Sequence, residues 1–247
     1  MSLTDLQRER YGRNIIIKQL GEARQEKLLA SKVLVIGAGG LGSAAILYLA
    51  AAGIGTLGIV DSDVVEISNL QRQILYDMPD IGRPKTESAK EKVERLNPDV
   101  RVIAYGDQMT AGNISAIIAE YDFVIECTDT FPAKFLINEA CVRGCKPFSH
   151  AGVLAFQGQT MTYVPGHACL RCVYDPPPPG MAPTSDDLGI LGATAGVFGA
   201  IQAAEAIKYL IGNDNLLTDA VLYYNLLDAK FKKVKAKSKA KCPVCGD

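Results

Sequence analysis

Two groups of residues in this chain have the types and spacing to do chemistry. The first begins at Gly37-Ala-Gly39-Gly40-Leu-Gly42, which fits the pattern G-x-G-x-x-G. Glycines at this spacing allow a tight turn and close approach of the backbone to phosphate at a helix N-terminus. Asp61 follows an apolar run, where a carboxylate would take ribose hydroxyls. Downstream lies a dense polar run, Asp61-Ser-Asp63-Val-Val-Glu66-Ile-Ser-Asn69-Leu-Gln71-Arg72-Gln73, then Gly82-Arg83-Pro84-Lys85, and later Asp129 in the triplet CTD. Two cations, Arg72 and Lys85, and two carboxylates, Asp61 and Asp129, around a nucleotide suit chemistry at phosphate. Hydride transfer would not require them, although the glycine pattern alone is compatible with an NAD-dependent oxidoreductase.

The second group is Cys169-Leu-Arg-Cys172 and Cys242-Pro-Val-Cys245. Each CxxC turn can present two thiolates, and four thiolates close a tetrahedral zinc shell. Such a shell has no open position, so the predicted metal is structural and ties the C-terminal tail to the body. The lysine-rich KFKKVKAKSKAK before the second pair would otherwise be mobile. Cys127, Cys141 and Cys145 stand in apolar surroundings and read as core filling. His167 is close enough to Cys169 in sequence for a minor metal role, which four thiolates do not need.

The elements that must position these groups follow from periodicity. Residues 1–30 read as amphipathic helix. Lys32-VLVIG, an Ala-rich helix after GAGGLG, and TLGIVDSD form a strand–helix–strand unit. A polar-faced helix over 83–97, a strand at VRVIAYG, a helix at NISAIIAEYD, a buried strand at FVIECTD, a helix at INEACVRGC and a strand at PFSHAGV continue the alternation. This predicts a Rossmann-like, doubly wound, mostly parallel sheet whose C-terminal strand ends converge on the ligand crevice. From residue 156 the alternation in FQGQTMTYV predicts an antiparallel extension. A proline loop and a small-residue helix over Ala193–Ile211 follow, packed closely on another helix. The expected organisation is one domain over 1–247: N-terminal helices (1–30), a nucleotide-binding core (31–155), and an extension with a zinc-tethered tail (156–247).

Taken together, GAGGLG, DxDxVExSNLQRQ, GRPK, CTD and the two CxxC pairs resemble the E1-like adenylating enzymes. These are the ThiF, MoeB and HesA relatives of ubiquitin-activating enzyme. The resemblance extends to RYGRN near the N-terminus and GAIQAAEAIKYL near the C-terminus. It implies ATP-dependent adenylation of the C-terminal Gly-Gly carboxylate of a small ubiquitin-like sulfur-carrier protein, of the thiamin or molybdopterin kind. Adenylation of another carboxylate or amide, on a peptide or modified tRNA, is the alternative; a non-catalytic scaffold would be expected to lack Arg72, Lys85 or Asp129. By resemblance, the nucleotide set is Gly37, Gly39, Gly40, Gly42, Asp61, Asp63, Asn69, Gln71, Arg72 and Lys85. Arg72 and Lys85 then face the triphosphate, Asp129 holds magnesium, and Arg13 reaches the site of a neighbouring subunit, which implies a homodimer. Several members carry a cysteine in the loop before the last long helix. Here PPPPGMAPTSDDLGIL puts Ser185 there, so no thioester or acyl-disulfide is expected at that loop. The Pro176–Gly180 stretch is where a partner's thin tail could thread. No rhodanese-like extension follows, so a separate sulfur donor is expected.

Composition narrows the partners. With 26 Lys and Arg against 27 Asp and Glu, the formal charge of −1 supplies no field for nucleic acid or an anionic membrane. Val33–Val60 carries no charge and is long enough to span a bilayer, but its glycines and two β-branched runs fit buried parallel strands. The start of the chain has no apolar signal segment, and paired CxxC motifs suit a reducing compartment, so a cytoplasmic protein is expected.

Overall fold

Three short β-branched runs build the centre of the sheet: β1 (Lys32–Ile36), β2 (Thr56–Val60) and β4 (Phe123–Glu126), with β3 (Arg101–Tyr105) outside β2. The structure is a computed structural model that describes residues 2–177 and 185–246, without the side chains of residues 185 and 186. With β5 (Phe148–Leu154), β6 (Gln157–Tyr163), β7 (Ala220–Asn225) and β8 (Lys230–Lys235), the described strands form one sheet in the order β3-β2-β1-β4-β5-β6-β7-β8. β1 to β5 are parallel, and β5 to β8 pair antiparallel. In β1, Val35 lies opposite Ile59 of β2 and Ile125 of β4. Both faces of these strands are covered, which is why they read as continuous apolar runs.

Helices α1 (Asp5–Ile15) and α2 (Gly21–Ala30) precede the sheet; α3 (Gly40–Ala52), α4 (Lys85–Leu96), α5 (Ile114–Ala119) and α6 (Phe131–Arg143) alternate with its strands. The short α7 (Leu170–Val173) and α8 (Ser185–Leu188) lead to α9 (Gly192–Leu210). Val33, Val35, Leu57, Ile59 and Ile125 face one core with α3 and α9, whereas Leu34, Ile36, Val60 and Val124 face the other with α5 and α6. The uncharged stretch from Val33 to Val60 is thus β1, α3 and β2; among the described residues no helix is long and apolar enough to cross a membrane.

Small residues let α9 lie against α3. A Cβ on Gly199 would stand 2.2 Å from the Leu41 carbonyl oxygen and 3.0 Å from Ala44 Cβ, so no larger residue fits there without movement. Two expectations are corrected. The first half of the lysine-rich segment is not a tail awaiting a tether but edge strand β8, exposed on both faces and paired with β7. Lysines on an edge strand oppose pairing with other chains. Cys145 is not core: it is exposed, with φ +51°, in the turn that follows α6. Cys127 and Cys141 are buried as expected.

Candidate nucleotide crevice and thiol cluster

The loops after β1, β2 and β4 emerge side by side, because β2 and β4 both pair with β1. The glycine loop after β1 touches both neighbours. Gly37 N–H donates to the Val60 carbonyl at 2.8 Å, and Cys127 N–H donates to the Ile36 carbonyl at 2.8 Å. Gly37 has φ +97°, and a Cβ there would lie 2.6 Å from the Cys127 carbonyl oxygen. A side chain is therefore excluded by conformation and by space. Gly42 is as tight, since its Cβ would fall 2.0 Å from the Gly37 carbonyl oxygen. Gly40 opens α3 beneath α9, 3.0 Å from Ala195 Cβ by the same measure.

Asp61 stands directly beside this loop. Its carboxylate accepts N–H bonds from Ala38 at 2.7 Å and from Asp63 at 2.9 Å. Burial raises its affinity for a proton above the ordinary carboxylate level, although Lys85 and the two amides oppose that shift. Lys85 is buried and donates to Asp63 at 2.9 Å, with Asp61 at 3.9 Å. Its ammonium is thus held by the two aspartates at the mouth of the crevice. Arg83 of the same GRPK motif turns away to Glu91 at 2.5 Å and is an ion pair of α4.

The SNLQRQ segment turns back onto the glycine loop. Asn69 is buried; its side-chain oxygen accepts the Glu66 N–H at 3.2 Å, so it fixes the turn. Gln71 is exposed, and its carbonyl oxygen lies 2.5 Å from where a Cβ on Gly192 would sit. Arg72 is half-buried and donates to the Ser68 carbonyl at 3.1 Å, with its Cγ 3.5 Å from the Cβ position of Gly40. The crevice therefore brings together the glycine loop, Asp61, Asp63, Lys85, Asn69, Gln71 and Arg72. Asp129 emerges on the same edge, exposed, three residues beyond β4.

Arg13 does not join them. It is exposed on the last turn of α1, whose Tyr11 packs against Gly53 at the far end of α3. The 13 residues of α3 put that end about 20 Å from the glycine loop. The expectations for Ser185's side chain and for a partner-threading loop over Pro176–Gly180 fall largely outside the described residues.

Sequence reasoning missed two features. Gln73 is buried below Gly39, and its Oε1 has no partner among the described residues. It lies inside a motif already singled out, and only the fold shows that it turns inward. The second is a buried network at the floor of the crevice. Glu126 is 0% exposed; Lys134 donates to its two oxygens at 3.2 and 3.0 Å, and His150 Nδ1 lies 2.6 Å from Oε2. Burial alone would push the Glu126 carboxyl up, but Lys134, His150 and Thr128 outweigh it and bring it to about 2. Burial holds the His150 imidazole below its ordinary value against the pull of Glu126. A neutral ring beside a carboxylate carries its proton on Nδ1, leaving Nε2 to accept from Gln159 at 3.4 Å. A lysine and a histidine far apart in sequence gave no signal of this meeting.

The four cysteines of the CxxC pairs do meet. Cys169 and Cys242 Sγ are 3.7 Å apart, Cys172 and Cys245 Sγ 3.3 Å, and all four lie within 4.8 Å of one another. A tetrahedron with metal–sulfur arms of about 2.3 Å has edges of about 3.8 Å, so the donor set fits a metal ion. Burial raises the Cys242 thiol, but N–H groups of Cys245 and Val244 overcome it and draw the thiol down to about 7, toward the ligating thiolate. His167 stands apart, paired with Asp219 at 2.7 Å.

The glycine loop, Asp61, the SNLQRQ turn and the four-cysteine cluster belong to one chain fold, and the ThiF family model matches residues 11–244. The chain is a member of the ThiF family. It is 42% identical over 248 residues to the SAMP-activating enzyme E1 of Haloferax volcanii, covering 100% of this chain and 92% of that protein. It is 40% identical over 254 residues to the sulfur carrier protein adenylyltransferase of Thermus thermophilus, covering 100% and 94%. Among solved structures, E. coli MccB with ATP superposes with a TM-score of 0.84 at 25% identity, covering 96% of this chain and 73% of that one.

Proposed function

We propose that this ThiF-family enzyme uses ATP to adenylate the C-terminal Gly-Gly carboxylate of a small ubiquitin-like sulfur-carrier protein, for sulfur transfer in thiamin or molybdopterin synthesis. The observation that carries the reading is the convergence of the glycine loop, Asp61 and the Arg72 turn at one sheet edge. Two relatives are named for carrier or SAMP activation, which supports that class of partner. The carrier's carboxylate oxygen forms a bond to the α-phosphorus; the bond to the bridging oxygen breaks, and pyrophosphate leaves with the electron pair. The carboxylate is ionised at neutral pH, so the step needs no general base. It needs neutralisation of two approaching anions, which fixed cations supply.

In this reading the glycine loop receives the phosphates, and Asp61 takes the ribose hydroxyls with Asp63 behind it. Asn69 and Gln71 shape the turn that aims Arg72 at the phosphates. Lys85 exchanges its aspartate partners for phosphate when nucleotide enters. Asp129 offers an exposed carboxylate with no ion pair or hydrogen bond among the described residues, which fits a divalent cation. Magnesium bound there would offset charge on the phosphates. The thiol set is assigned to structural zinc, whose closed tetrahedron suits four sulfurs, and such thiols belong to a reducing cytoplasm. With Ser185 where the resemblance puts a cysteine, adenylation proceeds without a thioester or acyl-disulfide at that loop, and a separate protein is the proposed sulfur donor.

ATP–pyrophosphate exchange with magnesium and a panel of Gly-Gly-ending carriers tests the reading. Exchange should depend on one carrier and fall by about 10²–10³ in Arg72→Ala and in Asp129→Ala. ATP binding without exchange for any carrier would sink it. The homodimer reading gives Arg13 to the second copy's crevice, in keeping with its distance from its own. Mixing inactive Arg13→Ala and Arg72→Ala proteins should then restore exchange; no recovery after subunit exchange would refute sharing.

A further inference from the structure

The Glu126 network does more than fill the core. Glu126 Oε1 accepts both the Thr128 N–H at 2.7 Å and the Thr128 hydroxyl at 2.5 Å. Lys134 donates to the Thr128 carbonyl at 2.7 Å and to the Ala151 carbonyl at 2.8 Å. Every polar group of Thr128 is therefore held by one buried ion pair. The Thr128 amide also lies 3.1 Å from the Cβ position of Gly37, so the glycine loop rests on the same residue. On the other side, Thr130 caps α6 through the Ala133 N–H at 3.4 Å. Asp129 stands between these two anchors and is itself exposed.

The network continues outward in one direction. Tyr223 and Tyr174 hydroxyls are 2.5 Å apart, Tyr174 donates to Gln159, Gln159 reaches His150, and His150 donates to Glu126. A buried ion pair contributes little net stability, because desolvation offsets its attraction. Its distinctive output here is geometric: it fixes the turn that carries Asp129 relative to the glycine loop.

We propose that Glu126, Lys134 and His150 are positioning residues that hold the Asp129 carboxylate toward the nucleotide loop, so that it receives the divalent cation accompanying the nucleotide. The proposal rests on the adenylation reading for what the cation serves, and on the Thr128 contacts for the positioning.

Two sets of variants test it by calorimetric titration of ATP at stepped magnesium concentrations, with adenosine as a control ligand. Glu126→Gln/Lys134→Met removes both charges at similar size. His150→Ala deletes the bond to Glu126, and His150→Asn keeps a donor where Nδ1 stood. The double variant should raise the magnesium concentration for half-maximal ATP binding by about 10- to 100-fold, as loss of supporting partners does at metal sites. Adenosine affinity should stay unchanged, and amides of residues 127–131 should exchange faster with deuterium. His150→Ala should shift the magnesium dependence in the same direction, and His150→Asn should restore it. An unchanged magnesium dependence in folded variants would overturn the proposal, and so would equal losses for adenosine and ATP. If the double variant does not fold, the His150 pair decides alone. Wild-type protein that binds ATP with magnesium but exchanges no pyrophosphate would defeat the adenylation reading while leaving the positioning test intact.

Discussion

At the crevice, Lys85 and Asp61 stand 3.9 Å apart beside an exposed Asp63 and an exposed Asp129. At the thiol cluster, four sulfurs crowd within 4.8 Å, three of the cysteines buried. The first region keeps charged groups that a ligand can recruit. The second offers a set of donors that one ion would satisfy completely. α6 touches both regions. Its Thr130 cap lies beside Asp129, and eight residues on Asn138 accepts the N–H of Leu170, between Cys169 and Cys172, at 2.9 Å. An open site and a closed one thus share a helix, and the question is whether damage in one stays out of the other.

Metal removal is the largest expected effect. Structural zinc bound by thiolates is worth on the order of 10 kcal/mol at neutral pH. Chelation, or Cys242→Ser, should lower Tm by more than any single core substitution and release residues 236–246 to hydrogen exchange. ATP affinity measured below the new transition should hold within about threefold, because the core of β1, β2 and β4 against α3 and α9 excludes the four cysteines, which pack on the opposite faces of those strands. Loss of ATP binding in step with the metal would show that α6 transmits between the sites.

Acid should separate the two regions next. Glu126 falls from an ordinary 4.5 to about 2 in the fold, so the unfolded chain binds the proton first. The fold's preference for the ionised over the protonated carboxyl is complete above about 4.5 and lost as pH falls toward 2. His150, lowered from 6.5, acts with the same sign and sets an earlier onset. Asp61 is raised above 3.8 and opposes them, giving back some stability as it protonates. Urea unfolding from pH 8 downward should therefore show stability declining below about 6.5. In His150→Gln the share of the decline that His150 contributes below about 6.5 should be missing, so the curve should run shallower until Glu126 protonates below about 4.5. Both proteins carry the thiol cluster, so the difference between the curves belongs to the crevice floor; identical curves would remove His150 from it.

The two regions differed in how readily the sequence disclosed them. The glycine spacing, Asp61 and the CxxC pairs are local signals, and the parallel strands that carry them read correctly because both faces are apolar. Lys230–Lys235 escaped because its strand character comes from pairing with β7 and not from its own residues, all of which are exposed. Cys145 was misjudged because its apolar neighbours belong to a helix that ends just before it. The Glu126–Lys134–His150 meeting joins residues up to 24 positions apart across β4, α6 and β5. No spacing rule reaches it, and only the sheet order reveals it.

The smallest expected effects come from one methyl group placed in either region. A Cβ on Gly42 would meet the Gly37 carbonyl oxygen at 2.0 Å; a Cβ on Gly246 would meet Cys242 main-chain atoms at 2.6 Å. Each is a contact with backbone, so the turn must shift, at about 1–3 kcal/mol. If the open and closed sites are independent, Gly42→Ala should weaken ATP binding and leave metal stoichiometry and affinity alone. Gly246→Ala should weaken metal binding in a competitive chelator titration and leave ATP affinity alone. Crossed effects in either variant would mean that α6 couples the two sites, and the double variant would then depart from additivity by more than about 0.5 kcal/mol.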